Sequence, residues 1–537
     1  MVKALENTEP CKEINNAWKT SCKIIFGRDI GDLEDYEKWL GHYIEGPYER
    51  KSSLTGKKVV LSKDDFAQDA KYLSHDELDY SKKYEPLNIN ELKDIDSIAN
   101  AIKERAYYTG NIVLGNSSNI EGSTDVMNSH FIRNCAIVQG SKFASRTRYL
   151  HGCEYCWGQY GATASVHAMM CSGSKIMRCL ESHSCELTSD CYFCGSMQNS
   201  NDCMFSFGGI GKRNLIGNLQ LAKEEYLKLK KKLVCQIADE LEAKKKIYSL
   251  FSIFQECRKY PHEKLNVADN DKERSFDITP IQKAFSKTSK LLLGVDLGEM
   301  RQYEKWLYRH VPENVPMKSP FSGKEVLVTG YRRRISELFE LEGRFLPESE
   351  MRRVADYFVE RENVEGVDAG KLESVCKNFH KVAYSNLDKE VGKCVNCKGA
   401  TVLIDAQDAY MGSAPIRSKQ TAYSFWPYES EAIFGAYTAW ESGFCINCYN
   451  CHKITRCLEV SDSHQCSDCY FSHNIENCND CMFCFNVKNL RFAVGNVQLK
   501  PEEYKEFKKR ILEKISNKLL KEKDLETDIF NLGAGKK

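Results

Sequence analysis

The sequence predicts a mainly β protein with added α-helices, built from two tandem parallel β-solenoid (β-helix) modules that each carry helical caps. Three observations support this fold class. Apolar residues recur at every sixth position between Asn119 and Trp157, small residues recur three positions after them, and nearly the whole chain is repeated once. A six-residue period fits neither an α-helix nor an isolated strand, whose periods are about 3.6 and 2, and it is typical of hexapeptide solenoids.

The six-residue frame places two columns of side chains inside the predicted solenoid. The apolar column is Ile120, Val126, Ile132, Val138, Ala144, Leu150 and Cys156, and the small column is Ser123, Ser129, Cys135, Ser141, Thr147 and Cys153. Gly or Asn usually lies between them, at Gly122, Asn128, Asn134, Gly140 and Gly152. Because each turn of a solenoid stacks on the turn before it, the short strands bury their apolar faces only as a stack.

Composition and charge narrow the function classes. The 537 residues are enough for about two to four domains. Lys+Arg of 76 against Asp+Glu of 75 gives a net charge of +1, and so no overall field toward nucleic acid or an anionic membrane. Residues 1–22 lack the apolar core of a signal peptide, and no apolar run is long enough to span a bilayer. We therefore expect a cytoplasmic protein with no membrane association.

Two copies of one module account for the organisation of the chain. Residues 179–226 recur at a constant separation as residues 457–504, and roughly half of the positions in that window are identical. Near the start of each copy, Tyr36-Glu37-Lys38-Trp39-Leu40 matches Tyr303-Glu304-Lys305-Trp306-Leu307. The second copy keeps the six-residue frame with bulkier residues, at Ile404, Tyr410, Ile416, Ala422, Tyr428 and Phe434.

The predicted units follow one another in a fixed order. They are an N-terminal helical cap (1–110), β-solenoid 1 (111–221), a covering helix (222–260), a linker (261–285), a second helical cap (286–385), β-solenoid 2 (386–499), and a covering helix with a tail (500–537). Ser62 before acidic residues predicts a helix start in the first cap. Gly56-Lys57 and Gly323-Lys324 are interpreted as turns before the strands Val59–Leu61 and Val326–Val328.

The two covering helices are predicted from apolar residues at three- and four-residue spacing. The first contains Tyr226, Leu229, Leu233, Ile237 and Leu241, and the second contains Tyr504, Phe507, Ile511, Ile515 and Leu519. Pro501 suits the first turn of the second helix. We expect both helices to cover the open strand edge at the end of their solenoid, which would otherwise recruit another chain.

The 25 cysteines allow two interpretations. As metal ligands, Cys394 and Cys397 resemble half of a zinc knuckle, and Cys445 and Cys448 have the same spacing. These four are the best candidates for a zinc site, and zinc is the only candidate cofactor. When the two copies are aligned, however, Cys394 and Cys397 correspond to Asn116 and Asn119. Such a site would therefore exist in one module only.

The alternative interpretation is a buried ladder of small side chains. Cysteines recur in the six-residue frame, and Met, Ile and Ser replace them at some positions, which packing tolerates and metal coordination does not. The ladder set is Cys179, Cys185, Cys191, Cys203, Cys457, Cys469 and Cys481. We favour the ladder for most of the thiols.

No catalytic constellation recurs in both modules. The histidines that a hexapeptide-type acyltransferase would use as a general base mostly lack a counterpart in the other copy; they are His151, His167, His183, His452, His464 and His473. Aromatic residues alternate with the cysteines and are interpreted as core rows. No catalytic residue is therefore predicted.

At Asn479–Phe485, followed by Gly495-Asn496 and Glu502-Glu503-Tyr504, the chain resembles an uncharacterised family of cysteine- and asparagine-rich β-solenoid repeat proteins, often mislabelled CaiB/BaiF. The resemblance covers about fifty residues in each module. It implies a solenoid that ends in a Cys-rich segment and a helix, and it carries no established activity.

These observations favour a non-enzymatic structural or interaction protein that binds a macromolecular partner along its solenoid flanks. The first alternative is a zinc-binding nucleic-acid or ribosome-associated adaptor. The second is the acyltransferase. The sequence leaves the partner and the oligomeric state open.

Overall fold

The computed structural model describes residues 9–88, 91–163, 168–169, 172–174, 177–262, 265, 275–329, 341–358 and 364–534. It is a mixed α/β structure with extensive parallel sheets. Its helices are α1 (Glu9–Phe26), α2 (Leu33–Leu40), α3 (Ile95–Ile102), α4 (Lys223–Lys244), α5 (Leu250–Cys257), α6 (Thr279–Leu293), α7 (Glu304–Tyr308), α8 (Glu348–Phe358), α9 (Leu372–Phe379) and α10 (Pro501–Glu522). His167 and eleven residues of the predicted linker, 263–264 and 266–274, lie outside the described residues.

Each half begins with helices and small sheets. The strands of these sheets are β1 (Tyr48–Lys51), β2 (Lys58–Leu61), β3 (Lys71–Ser74) and β4 (Tyr107–Gly110) in the first half, and β21 (Asn314–Lys318) and β22 (Glu325–Thr329) in the second. β1 and β2 form an antiparallel hairpin, as do β21 and β22, and the predicted strands after the two Gly-Lys turns are confirmed. The linker predicted up to residue 285 overlaps α6, because Pro280 lies in the first turn of that helix.

The helix predicted to start at Ser62 is wrong, since residues 62–70 contain no helix. Distant groups hold this segment in a non-helical form. The Ser62 hydroxyl accepts a hydrogen bond from Asn450 Nδ2 at 3.0 Å, and its carbonyl accepts one from the Arg148 guanidinium at 2.5 Å. These contacts override the local N-cap signal.

A long parallel sheet system follows in each half, which we call the first and the second ladder. The first ladder contains β5 (Val113–Leu114), β6 (Ser118–Glu121), β7 (Thr124–Met127), β8 (His130–Arg133), β9 (Ala136–Gln139), β10 (Lys142–Ser145), β11 (Arg148–His151), β12 (Glu154–Trp157), β13 (Tyr160–Thr163), β14 (Ala168–Met169), β15 (Ser172–Ser174), β16 (Leu180–Glu186), β17 (Ser189–Gly195), β18 (Asn201–Met204), β19 (Arg213–Ile216) and β20 (Leu219–Gln220).

The second ladder contains β23 (Glu390–Val391), β24 (Val395–Thr401), β25 (Leu403–Ile404), β26 (Gln407–Ser413), β27 (Lys419–Ala422), β28 (Glu431–Phe434), β29 (Tyr437–Trp440), β30 (Gly443–His452), β31 (Leu458–Ser461), β32 (Ser467–Glu476), β33 (Asn479–Met482), β34 (Phe485–Lys488), β35 (Arg491–Val494) and β36 (Val497–Gln498). In most of both ladders a residue pairs in parallel with the residue twelve positions later, as Lys142 does with Glu154 and Lys419 with Glu431. Each twelve-residue coil therefore forms one rung.

The backbone within a rung repeats every three residues. Asn128, Phe131, Asn134 and Ile137 all have left-handed conformations, with φ of 49°, 58°, 52° and 59°. The conformation costs a non-glycine residue about 1 kcal/mol or more, which the continuous parallel hydrogen bonding offsets. In the first ladder the residue that follows each of these left-handed residues is buried, so both predicted columns, three residues apart, are interior there.

The column predicted for the second copy is wrong by one residue: the residues that follow the left-handed Val402, Asp408 and Ala432 are the buried Leu403, Ala409 and Ile433. The predicted Ile404, Tyr410, Ile416 and Tyr428 are only partly buried, while Ala422 and Phe434 are buried in a different core.

Helices are present at both predicted positions, α4 and α10, each of which follows the last strand of its ladder. The segment 222–260, predicted as a single covering helix, contains two helices, α4 and α5. α4 buries Tyr226, Leu233, Ile237 and Leu241, while the predicted Leu229 is only partly buried. α10 starts at Pro501 and buries all five predicted residues. A lysine on each helix pairs with an aspartate of its ladder at 3.0 Å: Lys230 with Asp202, and Lys508 with Asp480.

The two halves exchange segments. Residues 59–108, from the first half, pack in one core with α6, α10 and the second ladder. The described residues between 315 and 387, from the second half, pack in another core with α1, α2, α4, α5 and the end of the first ladder. The rings of Tyr149 and Trp426, 5.3 Å apart, mark the surface where the ladders meet, which we call the seam.

Candidate functional site

The four cysteines predicted as zinc ligands lie at two separate levels of the second ladder. Cys394 and Cys397 are partly exposed in its first rung, whereas Cys445 and Cys448 are fully buried. The strand register places Cys445 four rungs from Cys397 in the same column. At about 4.8 Å per rung, this is roughly 19 Å. The structure therefore does not bring the two pairs into one site.

Burial raises the pKa of these thiols. The pKa of Cys397 and of Cys448 rises to about 11, and the pKa of Cys394 and of Cys445 also rises, in each case mainly because the thiolate loses solvation. Zinc binds the thiolate, so this environment opposes metal binding. In the described part of the chain, no three His, Cys, Asp or Glu side chains form a group that could hold a metal ion.

The seven cysteines of the predicted ladder set all have side chains that are inaccessible to solvent. Thiols inside the second ladder donate weak hydrogen bonds to backbone carbonyls of their own and the next rung, as Cys451 does to Tyr449 O at 3.2 Å and Val460 O at 3.4 Å. The Ser430 hydroxyl makes the same two contacts, to Tyr428 O at 2.8 Å and Ala439 O at 3.0 Å. Serine and cysteine are thus equivalent at these positions, and the Cys-x-x-Cys spacing is the three-residue repeat of the backbone.

The described histidine candidates are engaged in packing. His473 is fully buried, and its Nε2 accepts the backbone N–H of Thr109 at 2.8 Å. Burial lowers the pKa of His464 to about 4, and His151 packs against the rings of Tyr428 and Trp440. His183 is buried beside Phe251. His452 packs against His464 with ring centres 6.3 Å apart, whereas His183 and His473 belong to separate contacts.

A buried ionic cluster lies at the seam. The Lys63 ammonium lies 3.6 Å from the centre of the Tyr437 ring, and burial lowers its pKa to about 8. Burial, together with the Asp462 carboxylate, raises the pKa of Asp125 to about 7. Asn450 connects the cluster through hydrogen bonds to Ser62 and to Asp462, the latter at 3.1 Å. The adjoining cavity of about 50 Å³ has room for little more than water.

A cleft of about 910 Å³ lies in the first half. Three elements surround it: α2, the end of α4 with the segment that follows, and residues 370–373, which belong to the exchanged segment of the second half. Its apolar lining comes from Trp39, Ile247, Tyr248 and Leu372. Tyr248 is held in place because its hydroxyl donates to Ala369 O at 2.5 Å. This volume lies in the range of small-molecule and peptide sites.

The rim of the cleft is rich in cations. Its basic residues are Lys38, His42, Lys244, Lys245, Lys246 and Lys371, and its acidic residues are Asp35, Glu240 and Glu373. Three of the lysines have a carboxylate partner: Lys244 with Glu240 at 2.5 Å, Lys245 with Asp35 at 3.4 Å, and Lys371 with Asp368 at 2.9 Å. Within the described residues, Lys38 and Lys246 have no ion-pair partner.

The equivalent place in the second half is closed. Arg309 stands where the first half has His42, and Asp524 stands where it has Lys246. The Arg309 guanidinium pairs with Asp524, donates to Leu525 O and lies 3.5 Å from Asp528. Other contacts are kept in both halves: the ammonium groups of Lys245 and Lys523 lie 5.1 Å from the ring centres of Tyr36 and Tyr303. The difference is therefore local to the cleft.

Sequence reasoning missed the cleft because its residues come from three distant segments. Alignment of the two copies could have indicated the cleft. His42 and Lys246 of the first copy correspond to Arg309 and Asp524 of the second, although the neighbouring residues are similar. Comparison of the chain with protein-family models, curated proteins and solved structures gave no match. None of the described helices has the length and apolar character needed to cross a membrane.

Proposed function

We propose that this is a non-enzymatic interaction protein in which two β-solenoid modules form a rigid support for a docking cleft. The twelve-residue register, the interior columns and the covering helices all support the solenoid interpretation. Exchange of segments between the halves supports rigidity, because neither ladder can move without disturbing a core that the other half completes.

The observation that carries the proposal is the open cleft beside Trp39, whose counterpart in the second half is closed by Arg309. The two copies have similar elements at this place, so the difference follows from the local exchanges of Arg309 for His42 and of Asp524 for Lys246. We propose that the macromolecular partner binds here rather than along the ladder flanks, parts of which pack against helices and the other half. Residues 370–373, on one wall of the cleft, come from the second half, so docking requires both halves.

Site-specific photo-crosslinking tests the docking site. A photoreactive amino acid replaces Lys38, on the cleft rim, or Lys305, its exposed equivalent in the second half. The two variants are produced in cells of the source organism and irradiated. We expect a discrete adduct from position 38 and little from position 305. Equal yields at both positions, or no adduct from position 38, would show that the cleft is not the docking site.

A further inference from the structure

We infer that the cleft beside Trp39 binds an acidic peptide segment of the partner, in which carboxylates flank an apolar side chain; this inference rests on the proposed function. The charge of the cleft rim favours an acidic ligand. The cleft has six basic and three acidic residues on its rim, and Lys38 and Lys246 are unpaired within the described part of the chain. An anionic ligand would supply the ion-pair partners that Lys38 and Lys246 lack within this part of the chain.

The second argument comes from the closed copy. There the corresponding space holds carboxylates of the chain itself, since Asp524 and Asp528 both approach Arg309. Leu525, between these two aspartates, is 1% exposed. The segment that closes the second half is therefore an acidic stretch around a buried apolar residue. In the first half the carboxylates are absent and lysine replaces Asp524, so that the partner has to supply the negative charge.

The third argument is the spacing of the cations, which favours a peptide over a single compact anion. The basic side chains belong to three elements: α2 carries Lys38, the end of α4 carries Lys244 and its neighbours, and Lys371 precedes α9. Charges on separate walls match several carboxylates spread along a chain better than one phosphate group. The apolar lining from Trp39, Ile247 and Leu372 suits an aliphatic side chain between those carboxylates.

Fluorescence anisotropy on the full chain tests the chemistry. The probe is a fluorescein-labelled peptide, Glu-Asp-Leu-Glu-Asp-Leu-Glu, and its Gln/Asn amide version is the uncharged control. We expect the acidic probe to bind, the amide version to bind at least about tenfold more weakly, and added salt to weaken the acidic probe. The double variant Lys38→Glu, Lys246→Glu should raise the Kd about tenfold or more.

A matched variant keeps the test specific. Lys305→Glu with Lys521→Glu makes the same change in net charge at exposed positions of the second half. Its Kd should stay within about twofold of wild type, and unfolding midpoints establish that both double variants are folded. Equal weakening by both pairs, or equal binding of the amide peptide, would overturn the inference. If sodium citrate bound more tightly than the peptide, the cleft would be a site for a small anion and not for an acidic peptide.

The outcome also separates this inference from the docking proposal. An adduct at position 38 together with a failure of the acidic peptide to bind would keep the docking site and overturn the ligand chemistry. Specific peptide binding without an adduct would retain an acidic-peptide site and overturn the proposed cellular partner.

Discussion

The backbone N–H of Thr109 donates to Nε2 of His473 over 2.8 Å, although 364 residues separate them in the chain. The Thr109 hydroxyl donates to Asn486 Oδ1 at 2.5 Å, and Asn486 Nδ2 donates to Tyr107 O at 2.8 Å. The end of the first cap is thus bonded to the second ladder. These contacts lie next to the Tyr108 side chain, which is 1% exposed.

A second set of contacts joins a segment of the second half to the first ladder. The Ser196 hydroxyl, in the first ladder, accepts from Asn386 N at 2.7 Å and donates to Asn386 O at 3.2 Å. Phe205 stacks on Phe379 of α9 with ring centres 5.3 Å apart. Each half therefore completes the core of the other, as in a domain-swapped dimer fused into one chain.

This exchange predicts that neither half folds alone. Residues 1–262 would expose the first-ladder surface that residues 315–387 cover, and residues 263–537 would expose the surface that residues 59–108 cover. We expect each fragment to be aggregated or poorly structured when produced separately, and the two to form a one-to-one complex when co-expressed. Size-exclusion chromatography and circular dichroism measure this. Two independently folded, non-associating fragments would contradict the exchange.

We expect His473→Ala to destabilise the protein by about 3 kcal/mol. The change leaves the buried Thr109 N–H without an acceptor, which costs about 1–3 kcal/mol, and opens a cavity in addition. Chemical unfolding should show a lower midpoint with an unchanged slope. His452→Ala is the control, because His452 bonds to the exposed Glu441 at 2.9 Å and its loss should cost about 1 kcal/mol or less. Equal losses would show that His473 has no special role in joining the halves.

The thiols should react with a disulfide reagent such as DTNB in order of exposure. Cys235 is exposed, and among the other described cysteines Cys11, Cys394 and Cys397 are partly exposed while the rest are buried. The raised pKa of Cys394 and Cys397 slows their reaction further, because the thiolate is the nucleophile. We expect Cys235→Ser to abolish the fastest phase in the native protein. Rapid labelling of Cys457 or Cys469, detected by mass spectrometry, would be inconsistent with a closed interior.

The interior columns should accept serine and reject larger residues. Cys457 is fully buried and donates to Thr455 O at 3.5 Å. In Cys457→Ser the hydroxyl can donate to Thr455 O, the carbonyl two residues earlier, as Ser430 does to Tyr428 O, so we expect a loss of about 1 kcal/mol or less. Cys457→Leu overfills the coil and should cost about 3 kcal/mol. Thermal and chemical unfolding compare the two variants. A greater loss for serine than for leucine would indicate that the sulfur has a chemical role.

Local patterns were enough to predict the interior columns of the first ladder and the two helices that follow the ladders, but the column of the second copy was predicted one residue out of frame. Val126 and Ile132 are buried where the period places them, and α10 begins at Pro501 as its position predicts. These features depend on the spacing of side chains along one segment. The helix predicted at Ser62 is absent because Asn450 and Arg148, which are distant in the sequence, bind Ser62 and hold that segment in a non-helical form.

The exchange and the cleft could not be predicted in the same way. Because the copies are similar, the apolar face of α3 is as compatible with one ladder as with the other, and the hydrophobic pattern does not choose between them. The cleft likewise depends on which half supplies residues 370–373. Burial against a particular partner is a tertiary property, and here two similar surfaces compete for each segment.

The free energy of unfolding depends on pH through Asp125, a buried residue at the seam. Its carboxyl has a pKa of about 7 in the folded chain, raised by burial and by Asp462, against about 3.9 in an unfolded chain. The folded state therefore holds a proton that the unfolded state releases between about pH 4 and 7. Over this window the contribution of Asp125 to the free energy of unfolding falls as the pH rises.

Asp125→Asn removes that dependence. We expect the stability of the variant relative to wild type to increase from pH 4 to pH 7, by up to a few kcal/mol, with a plateau above pH 7. Lys63 and Arg148 favour the charged Asp125 carboxylate and therefore reduce the rise in its pKa that burial causes. The gain in stability of the variant is reduced accordingly. Groups present in both proteins, such as His464, cancel to first order in the difference between the unfolding curves.

Asp296→Asn is the control of opposite sign. Hydrogen bonds from Ser286 and Gly298, together with Lys290, lower the pKa of Asp296 to about 2. Its stabilising contribution is complete by about pH 4, so the stability difference for this variant should stay flat between pH 4 and 7. Urea unfolding at half-unit pH steps measures both differences. A flat profile for Asp125→Asn would mean that Asp125 is ionised in the folded protein throughout this range, with Lys63 and Arg148 stabilising its charge more than burial opposes it.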